Sequence, residues 1–248
     1  MKSLILGLAL TGSVLAQPVS KAHCQVELIC DSSQALPGDT VTLGVRIVPE
    51  AGWHTYWKNP GESGFATEVK WAPPVGSLAE SLRWPVPKSF LAGGILSYGY
   101  SDEHILTVPW KLPQGPWDLG AEVSWLACNE DQCIPGDAKL QLRLKPGPQQ
   151  PSLWHQAMHS QSLPKPIKLQ VQRVGTQLKV ALPHPGQAQF FPSQPFQIRE
   201  TAPQLQKPGH LELTAAGPSQ RLQGVLVVGG KPYELNSAIE RNQNQEDE

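Results

Sequence analysis

The sequence predicts an all-β protein of the sandwich class, and three observations carry that prediction. Proline (25) and glycine (22) are abundant in a chain of 248 residues. The apolar runs are short and strand-like, with turn residues between them. Long helical periodicity is nearly absent. Short strands separated by Pro/Gly turns are the pattern of two packed antiparallel sheets.

The first element is not part of that fold. Met1-Lys2 precedes the apolar run LILGLAL, and TGSVLA ends in small or apolar residues before Gln17. A short positive start and an apolar stretch too brief to span a bilayer describe a secretory signal peptide, residues 1–16, cut after Ala16. Cys24 follows Lys21-Ala22-His23, so no lipid-box cysteine is present at the cut. No second apolar run of about 18 residues follows, so the mature chain is expected to be exported, with no transmembrane segment. Export places four cysteines, an even set, where disulfides persist. Lys plus Arg number 20 and Asp plus Glu 21, for a net charge of −1. That balance argues against nucleic acid or an anionic membrane as the main partner.

The first strand candidate is HCQVELIC, residues 23–30. Cys24 and Cys30 share one face of an extended strand but lie about 20 Å apart, too far to bond unless the chain bends sharply. Two buried thiols are the expected state, with a bond across a bend or to another chain as alternatives. A His23-Cys24 copper site has little support in a chain with two methionines. TVTLGVRIV (40–48), HILTVPWKL (104–112), LGAEVSWLA (119–127) and AKLQLRLK (138–145) then read as strands. The last alternates cleanly, with Leu140, Leu142 and Leu144 on one face and Lys139, Gln141 and Arg143 on the other.

Seven of the eight tryptophans fall between residues 53 and 125. Trp53, Trp57, Trp71 and Trp84 read first as core packing and turn anchors, and second as an aromatic groove for a sugar or peptide. Residues 146–166, rich in Pro, Gln and Ser, read chiefly as a linker, in which LWHQAMHS can form a short helix. Beyond it IKLQVQRV, TQLKVAL, FQIRE, HLELTAA and QGVLVVGGKPYEL are strand-like, the last with a Gly-Gly hairpin turn. The expected organisation is a β domain over 20–146, a linker over 147–164, a second, smaller β domain over 165–240, and a polar tail over 241–248.

SWLACNEDQCIPG, residues 124–136, carries the chemistry. If its flanks form a hairpin with Cys128 opposite Cys133, then Ala127 faces Ile134, Trp125 faces Gly136, Val123 faces Ala138 and Ala121 faces Leu140, all apolar or small. The alternate set pairs Leu126 with Pro135, Ser124 with Asp137 and Glu122 with Lys139, and the cysteines belong to it. They are therefore expected at an accessible tip, on the face turned from the core. Opposed α-carbons lie within disulfide range. So short a loop yields only roughly 2 kcal/mol of stabilisation in the chain-entropy model. An accessible, local, weakly stabilising bond favours exchange, and a structural staple remains the alternative. Glu130 and Asp131 are the reverse of the setting that activates a thiol, so the pair reads as a disulfide attacked by a partner's thiolate. Two cysteines without a nearby His or second Cys pair are poor metal ligands, and no metal or organic cofactor is expected.

The order WHTYWKNPGESG, WPVPKSF, YGY and SWLAC…CIPG resembles the periplasmic N-terminal region of the DsbD/ScsB family of thiol:disulfide interchange proteins. The resemblance covers about residues 23–145 and is looser beyond, where the family's second β domain fits in size and position. It implies an immunoglobulin-like β-sandwich in the periplasm, with Cys128 and Cys133 as a reversible redox pair. It also implies that SYGYSDE (97–103) caps the pair, with Tyr98 and Tyr100 as shielding side chains and Ser97 as the other occupant of the capping position. Four residues separate the cysteines here, against three in ScsB-like members and more in DsbD-type domains. The implied donor is a thioredoxin-like domain or a membrane electron-carrier protein, supplied separately because this chain carries neither. The implied acceptors are periplasmic disulfide-containing proteins, so disulfide-reductase activity is expected only together with partners. The competing reading is a non-enzymatic secreted binding or docking module with a permanent Cys128–Cys133 bond. A copper-handling role is suggested only by association with ScsB-like systems, and the scattered His residues speak against it.

Overall fold

The computed structural model describes residues 17–72 and 76–241. The signal peptide expected over 1–16 and nearly all of the expected tail lie outside the described residues. Strands dominate, as the composition requires, and the fold is all-β with immunoglobulin-like sandwich packing.

Two sheets enclose the first core. One runs Val19–Lys21, Cys24–Cys30, Thr40–Pro49, His104–Lys111, Leu78–Ala79, antiparallel throughout. The other runs Gln150–Pro151, Ser32–Ala35, Cys133–Pro146, Trp117–Cys128, Glu68–Ala72. Period-2 alternation sends Val26, Leu28, Leu43, Val45, Leu106 and Val108 inward from the first sheet. They meet Leu119, Ala121, Val123, Trp125, Leu140 and Leu144 of the second in one buried cluster. The tryptophans are packing residues: Trp53 belongs to this cluster, Trp71 and Trp84 pack against it, and Trp57 is fully buried elsewhere. Cys24 and Cys30 sit in the core-facing strand as two free, buried thiols.

A smaller sheet of Thr55–Gly61, Ile95–Tyr100 and Lys88–Ala92 leans against the cysteine end of the sandwich. Gly99 in its central strand has no room for a side chain, since a Cβ there would stand 1.8 Å from the Thr55 carbonyl oxygen.

The segment read as a linker carries the short helix His155–Ser160, within the LWHQAMHS run expected to form one. Met158 plugs into the outer face of the first sheet against Ile29 and Ile105. Gly44 leaves the space it uses, since a Cβ there would come within 3.0 Å of the Met158 Cε.

A second core is built from Val171 onward, including Leu178, Val180, Phe190, Leu211, Leu213 and Leu226. Its eight strands form one continuous sheet, closed on one side by the long hairpin Arg221–Val228 and Lys231–Arg241. Gly229 and Gly230, both at positive φ, make the turn that the Gly-Gly pair signals. FQIRE (196–200) departs from its strand-like reading. It follows Pro195, starts at Phe196 with φ +62°, and makes only the isolated bridge Ile198–Ala215, while the strand forms at Ala188–Pro192.

Candidate functional site

The hairpin Trp117–Cys128 and Cys133–Pro146 carries the cysteine pair at its tip, in the register counted from the sequence, with Cys128 opposite Cys133. Ala121, Val123, Trp125 and Ala127 are buried in the sandwich, and Glu122 and Ser124 are exposed. Gly136 is required opposite Trp125, because a Cβ there would lie 2.3 Å from the indole Cε2. Asn129 shapes the loop: its Oδ1 accepts the backbone N–H groups of Asp131 (2.9 Å) and Gln132 (2.8 Å). Its own N–H donates to the Gln132 carbonyl at 3.0 Å. The cysteine α-carbons are 4.1 Å apart and the sulfurs are bonded.

The two sulfurs live in different surroundings. Cys133 is exposed, as the hairpin count expects, whereas Cys128 is only 2% exposed. The expectation of an accessible tip therefore fails for Cys128, and the reason is the small sheet laid over it. The His54 N–H donates to the Cys128 carbonyl at 2.9 Å, and the Cys128 N–H donates to the His54 carbonyl at 3.0 Å. This pair of backbone hydrogen bonds seats Tyr56 on the sulfur, with its hydroxyl donating to Cys128 Sγ at 3.0 Å and Leu126 completing the cluster.

Tyr56 is itself held in place. Gly64, at φ +102°, passes so close under the ring that a Cβ would lie 2.2 Å from the Tyr56 Cε1. Thr67 Oγ1 donates to the Tyr56 carbonyl at 3.1 Å. The NPGESG turn thus earns its last glycine by seating a ring. His54 meets Tyr56 edge-on at 5.2 Å and stacks on Phe90 at 4.5 Å. Burial raises the Tyr56 pKa and lowers that of His54, so near neutral pH the phenol keeps its proton and the imidazole is uncharged.

Tyr98 and Tyr100 lie elsewhere. Both are buried with Trp57, Phe191 and Val225. Tyr98 meets Phe191 edge-on at 5.6 Å, and Tyr100 stacks on His104 while its hydroxyl donates to the Pro85 carbonyl at 2.8 Å. Strand parity explains the displacement. Tyr56 pairs with Gly99 and Phe90 pairs with Ser97, so these four share the face toward Cys128. Tyr98 and Tyr100 alternate with them and face the second core. Ser97 and Gly99 are thus the residues of SYGYSDE on the cysteine side, and the aromatic cover comes from Tyr56. The sequence signal that could have found it is the position of Tyr56 within WHTYW, two residues from His54 on the same strand face.

Residues 25–145 match the family model of the thiol:disulfide interchange protein DsbD, N-terminal. Among solved structures, the N-terminal periplasmic domain of ScsB from Proteus mirabilis is similar to this chain, with a TM-score of 0.71 and 22% identity. The likeness covers 91% of this chain and 98% of that one, so it extends through the second core, and it concerns the fold. No curated protein sequence matches the chain significantly. The sandwich, the cysteine hairpin at its edge and the match over 25–145 together show that this region belongs to the DsbD N-terminal family of thiol:disulfide interchange domains.

Proposed function

We propose that this chain is a periplasmic thiol–disulfide exchange module, with residues 20–146 as the domain bearing the redox pair Cys128/Cys133 and 165–240 as a second domain. The observation that carries the reading is the asymmetry of the pair: one sulfur open to a partner, the other under a hydrogen-bonding phenol.

A donor thiolate, from a thioredoxin-like domain or a membrane electron carrier, attacks Cys133 Sγ. The new bond forms there, the Cys133–Cys128 bond breaks, and its electron pair leaves on Cys128 Sγ, where the Tyr56 hydroxyl stabilises the thiolate. The donor's second thiol then attacks the mixed disulfide and departs oxidised, leaving both cysteines reduced. Toward a periplasmic substrate the steps reverse: the Cys133 thiolate attacks the substrate disulfide, and Cys128 resolves the mixed disulfide. Two electrons and two protons move in each half-cycle, with no cofactor between the thiols.

The test is a redox titration in glutathione buffers with alkylation and mass mapping of both cysteines. A reversible midpoint within about 100 mV of −220 mV, the range of exchange proteins, is expected. A pair that stays oxidised throughout, with a potential below about −300 mV, would instead mark a structural staple in a binding module.

A further inference from the structure

The helix His155–Ser160 is short, yet it is pinned with care. Met158 is buried between Ile29 and Ile105. Trp154, just before it, carries the Arg46 guanidinium over its ring at 5.0 Å. Ser152 Oγ donates to the Cys30 carbonyl at 2.5 Å and accepts the Trp154 N–H at 3.0 Å. These contacts fix which way the remaining helix face points. His155 and His159, four apart, project together from that face, with ring centroids 4.5 Å apart.

Asp31, the residue after the first long strand, meets them. Its Oδ2 lies 3.0 Å from His159 Nε2. Its Oδ1 accepts the Thr42 backbone N–H at 2.9 Å, which sets the plane of the carboxylate. One ligand atom from each of Asp31, His155 and His159 lies within 4.8 Å of the other two. Tetrahedral coordination with bonds of about 2.0–2.2 Å separates ligand atoms by about 3.3 Å. The Asp31–His159 contact is already within a few tenths of that spacing, and rotation of two half-exposed imidazoles can close the rest.

We propose that Asp31, His155 and His159 form a binding site for a borderline divalent cation of the Zn2+ class. The donor set suits that class: two imidazole nitrogens, one carboxylate oxygen, and a fourth position left to water. The Thr42 N–H supplies the outer-shell bond that orients the carboxylate. The site stands apart from the cysteine hairpin, since the strand Cys24–Cys30 places Asp31 roughly 20 Å from the edge where Ala22 meets Trp125. It is independent of the exchange reading. Its sequence signal is the HxxxH spacing in a segment that otherwise reads as linker.

The test is Zn2+ titration of tag-free, oxidised protein beginning at Gln17, followed by calorimetry and by NMR of the histidine side-chain nitrogens. One Zn2+ per chain is expected, with resonances of His155 and His159 moving and those of His23, His184 and His210 unmoved. His155→Ala and His159→Ala, both at exposed positions, should each weaken binding by at least about tenfold, the lower bound that even outer-shell changes produce. Asp31→Asn should act likewise, and the two histidine variants keep the test valid if that change disturbs the fold. Absence of saturable binding, or binding that survives loss of either histidine, would mean an ion pair only and would overturn the proposal.

Discussion

Replacing Tyr56 with phenylalanine removes one oxygen and leaves in place the ring that covers Cys128. The hydroxyl lies 3.0 Å from Sγ in a setting from which water is largely excluded. In the proposed attack on Cys133, Cys128 departs as a thiolate, and a hydrogen bond to a charged group contributes about 1.5–3 kcal/mol. At about 1.4 kcal/mol per pKa unit, losing it raises the Cys128 pKa by about one to two. If leaving-group sensitivity is of the order of the nucleophile's, about 0.4–0.5, reduction by a small dithiol slows about three- to tenfold. Tyr56→Ala gives the opposite sign, since removing the ring bares the sulfur and small thiols reach it faster. The assay is stopped-flow tryptophan fluorescence with excess dithiothreitol, paired with a pH titration of thiolate absorbance in the reduced protein. Wild-type rates and an unchanged thiolate pKa in Y56F would refute the leaving-group role of the hydroxyl, and a slower Y56A would refute the shield.

Two further predictions follow from buried groups. His104 is buried between Thr55 and Tyr100, and burial depresses its pKa from the ordinary 6.5 to about 4. As pH falls below 6.5 the unfolded chain takes this proton first, so stability present above pH 6.5 is lost progressively down to about pH 4, by about 3 kcal/mol from this group. Urea unfolding across that window should show the slope, and His104→Gln should flatten it; an unchanged slope would disprove the assignment. Burial pushes the Cys24 and Cys30 thiols up to about 12. At pH 8 in the folded, reduced protein, iodoacetamide should therefore modify Cys133 first and leave Cys24 and Cys30 roughly a thousandfold slower than free thiols. Rapid labelling of either would contradict their burial.

The cysteine hairpin was legible because its information is local. A four-residue loop with alternating flanks fixes the register, and the register fixes which face is core. The cover over Cys128 was not legible in the same way, because Tyr56 reaches it from 72 residues away. Its placement depends on a single backbone bridge at His54 and on Gly64. Tyr98 and Tyr100, the expected shields, lie on the strand next to that of Tyr56 and face the second core. Without the pairing of Tyr56 with Gly99, a sequence cannot say which parity of SYGYSDE meets the sulfur. Asp31 and His155 fail for the same reason: they are distant in the chain and are brought together by Met158 entering the gap above Gly44.

The sheet over the cysteines has two occupied faces, and this links the second core to the site. Tyr56 covers Cys128 from one face, while Trp57, Tyr98 and Tyr100 on the other pack against Phe191 and Val225. Asn59 Nδ2 donates to the Pro192 carbonyl at 2.8 Å, and Gln189 Nε2 donates to Ser89 Oγ at 3.0 Å. A buried aromatic of this size removes about 150–250 Å² from water, on the order of 4–6 kcal/mol at 25 cal/mol per Å². Lifting the sheet off Cys128 while the second core stays in place must therefore break contacts on its far face as well, and such local opening becomes rarer as that face is better packed. Gly64 packs close against the Tyr56 ring, leaving no room for a side chain between them. In the proposed exchange, attack at the exposed Cys133 reaches the buried Cys128 without opening this sheet.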